Sequence, residues 1–175
     1  TTANFLEIGV GSRATSMGDA YVAVANDVSS IYWNPAGLSH VTNSSALFSI
    51  QPWLVDIDMM FAGGAFVVPS IGVIGLGITH LDYGEMDVTN LEYQDGTGER
   101  FGASDVAATF TFSRKIVSWF SFGSSMKYIS SKIWHSSASA FAVDLGVLVN
   151  TNFFSFTGKD KDGMNIGMSI SNYGT

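Results

Sequence analysis

The chain has no cysteine, only three prolines, and only eight lysines and arginines among 175 residues. Without cysteine it has neither a disulfide framework nor a thiolate metal site. Fifteen acidic residues bring the formal net charge to −7, and the few cations are scattered, so the clustered Lys and Arg that nucleic-acid binding needs are missing. Charged residues make up 13% and hydrophobic ones 46%, an apolar balance for a water-soluble domain. The opening Thr1-Thr2-Ala3-Asn4 carries no charged and apolar leader, and the expectation is that an export signal has already been removed. His40, His80 and His135 lack metal-ligand spacing, Gly9-Val10-Gly11 lacks the third glycine of a dinucleotide loop, and no G-x-S-x-G elbow occurs. A non-enzymatic chain without metal or cofactor is expected. Asp82, Glu85, Asp87, Asp95 and Glu99 offer carboxylates that calcium would accept, but a solvated surface loop is the preferred reading.

What the chain does have is strict alternation. Residues 104–114 set Val106, Ala108, Phe110 and Phe112 against Asp105, Ala107, Thr109, Thr111 and Ser113. In 119–131, Phe120, Phe122, Met126 and Tyr128 alternate with Ser121, Gly123, Ser125, Lys127 and Ser131. Residues 140–150 oppose Phe141, Val143, Leu145, Val147 and Val149 to Ala142, Asp144, Gly146 and Asn150; 164–171 oppose Met164, Ile166, Met168 and Ile170 to Asn165, Gly167, Ser169 and Ser171. Period two places the two sets on opposite faces of a strand. The polar face is small and nearly uncharged, whereas a soluble sandwich turns Lys and Glu outward. That contrast predicts an all-β, antiparallel transmembrane barrel with lipid outside and a crowded lumen inside.

The uncharged run 59–81 is long enough for a spanning helix, but Pro69-Ser70 falls in its middle and Ile74, Leu76 and Ile78 alternate with Gly75, Gly77 and Thr79. Two strands joined by a tight turn are preferred. Seven strands follow, at 44–51, 57–68, 71–82, 104–115, 119–131, 139–150 and 164–172. With entry from the periplasmic side, Pro69-Ser70, 116–118 and 152–163 fall on that side, and 52–56, 83–103 and 132–138 fall outside. The 152–163 turn, with Asp160, Lys161, Asp162 and Gly163, is longer than its side of such a barrel usually carries.

Register follows from matching faces. Phe112 opposite Phe122, and Phe122 opposite Val149, would bring Lys127 across from Asp144 on the lumen side, where an ion pair is expected. Trp53, Trp119 and Trp134 lie near strand ends, the girdle positions where indole rings settle at headgroup level.

Residues 1–43 lack this alternation and form a separate unit, with 44–175 as the wall. Asp27 is a plausible N-cap for a short helix through Trp33 that stops at Asn34-Pro35. Alternatively, Ala14, Met17, Tyr21, Val24, Val28 and Ile31 recur at the spacing of one long amphipathic helix. Either form must bury its apolar residues, and the lumen is the expected place.

The run Phe5 to Ala14, the run Met17 to Asp27, and above all Ile31-Tyr32-Trp33-Asn34-Pro35-Ala36-Gly37-Leu38 closely resemble the opening of the PorV/PorQ family of outer-membrane proteins, relatives of the FadL-type barrels. The likeness continues through Asp95-Gly96-Thr97-Gly98-Glu99, Lys127-Tyr128-Ile129, Asp144-Leu145-Gly146 and Ser171-Asn172-Tyr173-Gly174. The resemblance implies a 14-stranded barrel whose N-terminal segment folds inward as a hatch carrying Tyr32, Trp33, Asn34, Pro35, Ala36, Gly37 and Leu38. This chain supplies about seven strands, and open edges are not tolerated in hydrocarbon. Either it is the N-terminal half of a longer protein, the favoured reading, or another chain completes the barrel. The resemblance further implies a bacterial outer-membrane location and a translocon-associated or cargo-shuttling role in type IX secretion. Secretion-system proteins or secreted cargo would then be met through the outer loop 83–103, with outer-membrane lipid around the wall. The alternatives are a FadL-like transporter of hydrophobic small molecules, gated by 1–43, and a structural subunit of a surface assembly.

Overall fold

The computed structural model describes residues 3–53, 57–89, 91–94, 96–157 and 163–174. Seven strands form one antiparallel sheet in simple sequence order: β1 Ser45–Pro52, β2 Asp58–Val68, β3 Gly72–Asp87, β4 Arg100–Val117, β5 Phe120–Ile133, β6 Ser136–Asn150 and β7 Asn165–Gly174. The sheet is not closed: β1 and β7 are its two edges. The single-helix alternative for 59–81 is not adopted, because that stretch forms β2, a turn and the first part of β3. Among the described residues no helix is long and apolar enough to cross a membrane.

Burial along the strands is inverted relative to a soluble sheet. Thr111, Ser113, Ser121 and Ser125 are fully covered, whereas Phe110 is 48% exposed and Met126 and Phe141 are each 64% exposed. On the outward face, pairing sets Phe48, Ala62, Ile78, Ala108, Tyr128 and Phe141 in one row and Ala46, Gly64, Leu76, Phe110, Met126 and Val143 in the next. An apolar surface this continuous far exceeds the scattered hydrophobic residues of an ordinary exterior.

The inner face is covered by the N-terminal segment. It has two short α-helices, α1 Ser12–Ser16 and α2 Ser30–Trp33, flanked by 3-10 turns at Asn4–Glu7 and Pro35–His40. The long amphipathic helix does not form. Asp27 does not occupy the N-cap position either; Ser29 does, and Asp27 Oδ1 instead accepts hydrogen bonds from the Ser29 amide at 2.9 Å and the Ser29 hydroxyl at 2.5 Å. Phe5, Leu6, Val10, Val28, Ile31 and Leu38 of this segment share the core with Met59, Phe61, Val73, Leu81 and Ile129 of the sheet.

The sheet bends around the segment. A Cβ at Gly63 of β2 would touch the Val28 side chain, and one at Gly167 of β7 would collide with the backbone of Val22 and Ala23. In a flat sheet β2 and β7 would stand about 24 Å apart, at ~4.8 Å per strand. Residues 23 to 28 would reach only about 18 Å even if fully extended, and 22–24 and 28–29 form turns, so the two strands are brought closer than a flat sheet would hold them.

Three expectations need correction. The register at both hairpins differs by two residues: Phe112 faces Ser124 and Phe122 faces Val147. The cause lies in the turns, which are tighter and placed differently than expected. Ser118-Trp119 makes the first, with an irregularity between Lys115 and Val117, and Trp134-His135 alone makes the second, where a loop over 132–138 was expected. Trp119 is therefore a turn residue. The outer loop is also shorter than 83–103, because β3 runs to Asp87 and β4 starts at Arg100; the backbone pairing continues to Val88 and Glu99, whose N–H···O bond is 2.9 Å.

Candidate functional site

The string Tyr32 to Leu38 lies along the seam between the segment and the sheet. Asn34 is its hub and is fully buried. Its Nδ2 donates to the carbonyl of Val22 at 2.9 Å and to that of Val147 in β6 at 3.2 Å, while its Oδ1 accepts from the Ala36 amide at 3.1 Å. Asn34 has extended backbone and Pro35 opens the next 3-10 turn, as the restriction on a residue before proline requires. One residue thus caps a helical turn, ties two parts of the segment together and holds the wall. A few residues on, Ser113 Oγ of β4 stands 3.1 Å from Ala36 O and accepts from the Ser39 amide at 3.1 Å.

The approach of segment to wall is backbone-close. A Cβ at Gly123 of β5 would run into Pro35 and Ala36 backbone atoms, and one at Gly146 of β6 would meet Asn34 Oδ1 and the Pro35 ring. Only glycine leaves room there.

Lys127 and Asp144 stand side by side on this inner face. They are not directly opposite, since Lys127 faces Ala142 and Asp144 faces Ser125, and they meet along the diagonal of the β5–β6 ladder. Nζ lies 2.8 Å from Oδ2, with the side chains 3% and 1% exposed. Asn172 completes the cluster: its Oδ1 accepts from Lys127 Nζ at 2.7 Å, and its amide donates to Asp144 Oδ1 at 2.7 Å. The register of β7 shifts between Val143 and Leu145, and Asn172 takes a left-handed φ of 58°, a conformation Asn tolerates better than most residues. The bulge aims an amide hydrogen at the carboxylate. Burial of such a charge pair is offset by its mutual attraction together with the two hydrogen bonds to Asn172.

Tyr32 joins the two centres. Its ring centroid lies 5.9 Å from Lys127 Nζ, and its hydroxyl proton is shared between the carbonyls of Leu6 at 2.6 Å and Ile8 at 2.8 Å. Burial, then the negative charges of Asp19, Glu7 and Asp144, raise this phenol well above its ordinary value, so it stays a donor. Trp33 Nε1 donates to Val10 O at 2.9 Å, and its ring packs edge-on against Tyr21 and Tyr32. Leu38 and Ala36 are fully buried, and a Cβ at Gly37 would collide with the Ala25 carbonyl.

The cavities at the margin of the segment have mixed linings. One of about 270 Å³ sets Ala23, Val24 and Leu148 beside Asn26, His40, Lys115, Asn150 and Asn165, and another of about 430 Å³ sets Val28, Val41 and Leu47 beside Asn26, Asp27, His40 and Asn43. His40 Nε2 stands 3.4 Å from Ser121 Oγ, and burial, then the charge of Lys115, lowers its pKa. Among the described residues no group of three His, Cys, Asp or Glu is placed to hold a metal ion.

The tryptophans fall at both ends of the sheet. Trp53 follows β1 and Trp134 turns between β5 and β6 at one end, where Trp134 packs on Phe101 with centroids 6.0 Å apart. Trp119 lies at the other end, and all three are about half exposed. At the base of the outer loop, exposed Arg100 pairs with Asp87 at 3.0 Å and Glu85 at 3.3 Å. Asp95, Asp160, Lys161 and Asp162 lie outside the described residues.

Asn172, Ser113 and the Val147 carbonyl are the seam residues that periodicity does not single out. The usable signal for Asn172 is an amide-bearing residue near the end of the strand that follows the Lys127 and Asp144 strands. The sequence matches no protein-family model, and the search of curated proteins found no match.

Proposed function

We propose that this chain supplies the plug and about half of the wall of a non-enzymatic outer-membrane β-barrel of the PorV/PorQ type, acting as a translocon-associated or cargo-shuttling component of type IX protein secretion. The observation that carries the membrane reading is the inverted sheet: bulky apolar side chains project outward from every strand while Thr, Ser and Gly are buried beneath the N-terminal segment. In water that surface would be a severe liability, and in hydrocarbon it is matched to its solvent. Dimensions agree with this. The 14 residues of β5, between Trp119 and Trp134, would cover about 35 Å along the membrane normal at a tilt near 40°, which sets the two rings near the two headgroup levels.

The secretion role rests on the resemblance of Tyr32 to Leu38 and is supported by how that string is used. It fastens the plug to the wall through Asn34, Ser113 and the close contacts over Gly123 and Gly146. A FadL-like gate would have to break those contacts. A fixed plug with working outer loops fits protein export better than uptake. Deleting 89–98, which leaves the Arg100 ion pairs in place, should abolish co-purification with secretion-system proteins or cargo while the barrel still inserts. Association that persists at the wild-type level would refute the assigned recognition surface.

A further inference from the structure

The loop between β6 and β7 is out of keeping with its end of the sheet. The other two hairpins there turn at 69–71 and at Ser118-Trp119, whereas fourteen residues, 151–164, separate these strands. Within them Phe153, Phe154 and Phe156 are exposed, Phe156 completely. Three solvent-facing phenyl rings in four residues would not stay in water without a partner surface.

The loop starts as a continuation of the wall. Thr151 N donates to Met164 O at 3.1 Å and Met164 N to Phe153 O at 2.9 Å, so the β6–β7 ladder runs on past Asn150 and Asn165. Met164 continues the outward row of Ile166, Met168 and Ile170, all exposed. The Asn150 amide donates to Trp119 O at 2.8 Å, which ties the start of the loop to the half-exposed indole at the same rim. Phe153 and Phe154 meet edge-to-face at 4.5 Å, and Phe154 holds a left-handed φ of 62°, rare for a bulky residue. In sequence the rings are followed by Lys159-Asp160-Lys161-Asp162, so an aromatic cluster adjoins a fully charged stretch.

We propose that Phe153, Phe154 and Phe156 form an interfacial anchor that inserts into the lipid headgroup and upper acyl region on the short-turn side, fixing the depth and tilt of β6 and β7. The occupant is lipid because the ladder that carries the exposed rings continues the sheet, Met164 prolongs its outward apolar row, and the loop starts at the Trp119 rim, the level where amphipathic and aromatic groups partition. This inference rests on the reading of the sheet as a membrane wall, and its test separates the two.

The protein, reconstituted in phosphatidylcholine vesicles, would carry an environment-sensitive fluorophore at Cys introduced by Phe154→Cys or, where the left-handed backbone matters less, Phe156→Cys. A third version, Phe110→Cys, reports the middle of the wall. Doxyl-labelled phosphatidylcholine should cut emission by roughly half at 110 and at 154 or 156 alike, with shallow doxyl positions most effective for the loop. Quenching at 110 but none at either loop position would overturn the anchor and leave the wall reading standing. No quenching at any position would overturn both. Loop labels that remain wet in vesicles yet are shielded in native envelopes would assign the rings to a protein partner and likewise overturn the lipid anchor.

Discussion

Asn34 and Val147, 113 residues apart in the chain, share a hydrogen bond of 3.2 Å between a side-chain amide and a strand carbonyl. That bond joins the N-terminal segment to the sheet at a place where water has no access, since Asn34 is fully buried. Loss of the Asn34 side chain therefore removes more than one contact.

Asn34→Ala leaves the Val22 and Val147 carbonyls and the Ala36 amide without this partner. At about 1–3 kcal/mol for each buried polar group left unsatisfied, docking of the segment should weaken by roughly 3 kcal/mol or more. Limited proteolysis should then cut within 1–43 at protease levels that leave the native protein intact. Asn34→Asp should be at least as damaging, because a carboxylate donates to neither carbonyl.

Gly123→Ala and Gly146→Ala test the closeness of the seam. The first forces a methyl into backbone atoms of Pro35 and Ala36, which have no flexible end to move aside. Overpacking of this kind costs about 1–3 kcal/mol, and both variants should lower the temperature at which the protein loses its compact gel mobility. Gly102→Ala is the control, since its Cβ would find only the Gly84 carbonyl at 3.8 Å.

The Lys127–Asp144 pair should behave non-additively. Lys127→Met strands a buried carboxylate and Asp144→Leu a buried ammonium, each expected to cost about 3–5 kcal/mol. The double variant should recover much of that loss, although Asn172 then keeps an amide hydrogen without its acceptor. A double-mutant cycle on urea unfolding in detergent micelles gives the coupling; strictly additive losses would mean that the two charges act independently.

His40 makes docking of the N-terminal segment on the sheet sensitive to acid. Its folded pKa lies below the ordinary imidazole value of 6.5, through burial first and the charge of Lys115 second. The folded form therefore binds fewer protons than the unfolded one as pH falls through that value, so this contribution is complete above 6.5 and is progressively lost below it. Protection of the 36–41 amides, taken relative to the intrinsic exchange rate at each pH, should fall between about pH 7.5 and 5.5, and His40→Gln should flatten that dependence.

Strand positions are legible from sequence because one physical constraint, opposite wettability on opposite faces, repeats at every second residue. All seven strands are found where they are expected, the first two most closely, while β3 and β4 run four to five residues further toward their shared loop. Pairing offsets are less legible: a face pattern fixes register only modulo two, and turn geometry at Ser118-Trp119 and Trp134-His135 chooses among the allowed values. Lys127 and Asp144 stand out as opposite charges on a nearly uncharged face, and both reach the seam although their rungs differ. The shape of 3–44 is not readable from periodicity. Its turns and short helices are set by Asn34, Tyr32 and the carbonyls they find, all of them contacts distant in sequence. The inward glycines read in sequence merely as small residues on a polar face; their need for emptiness appears only once Pro35 and Asn34 stand over them.

The reach of the N-terminal segment from Gly63 on the second strand to Gly167 on the seventh has a consequence for assembly. A surface touched on so many staves by one short piece of chain takes its curvature from that piece, as a cask takes its roundness from the form it is bent around. Because residues 3–44 precede every strand in the polypeptide, the mould is present before the first stave is laid, and a chain lacking it would have to find the same bend with an empty, glycine-lined hollow at its centre.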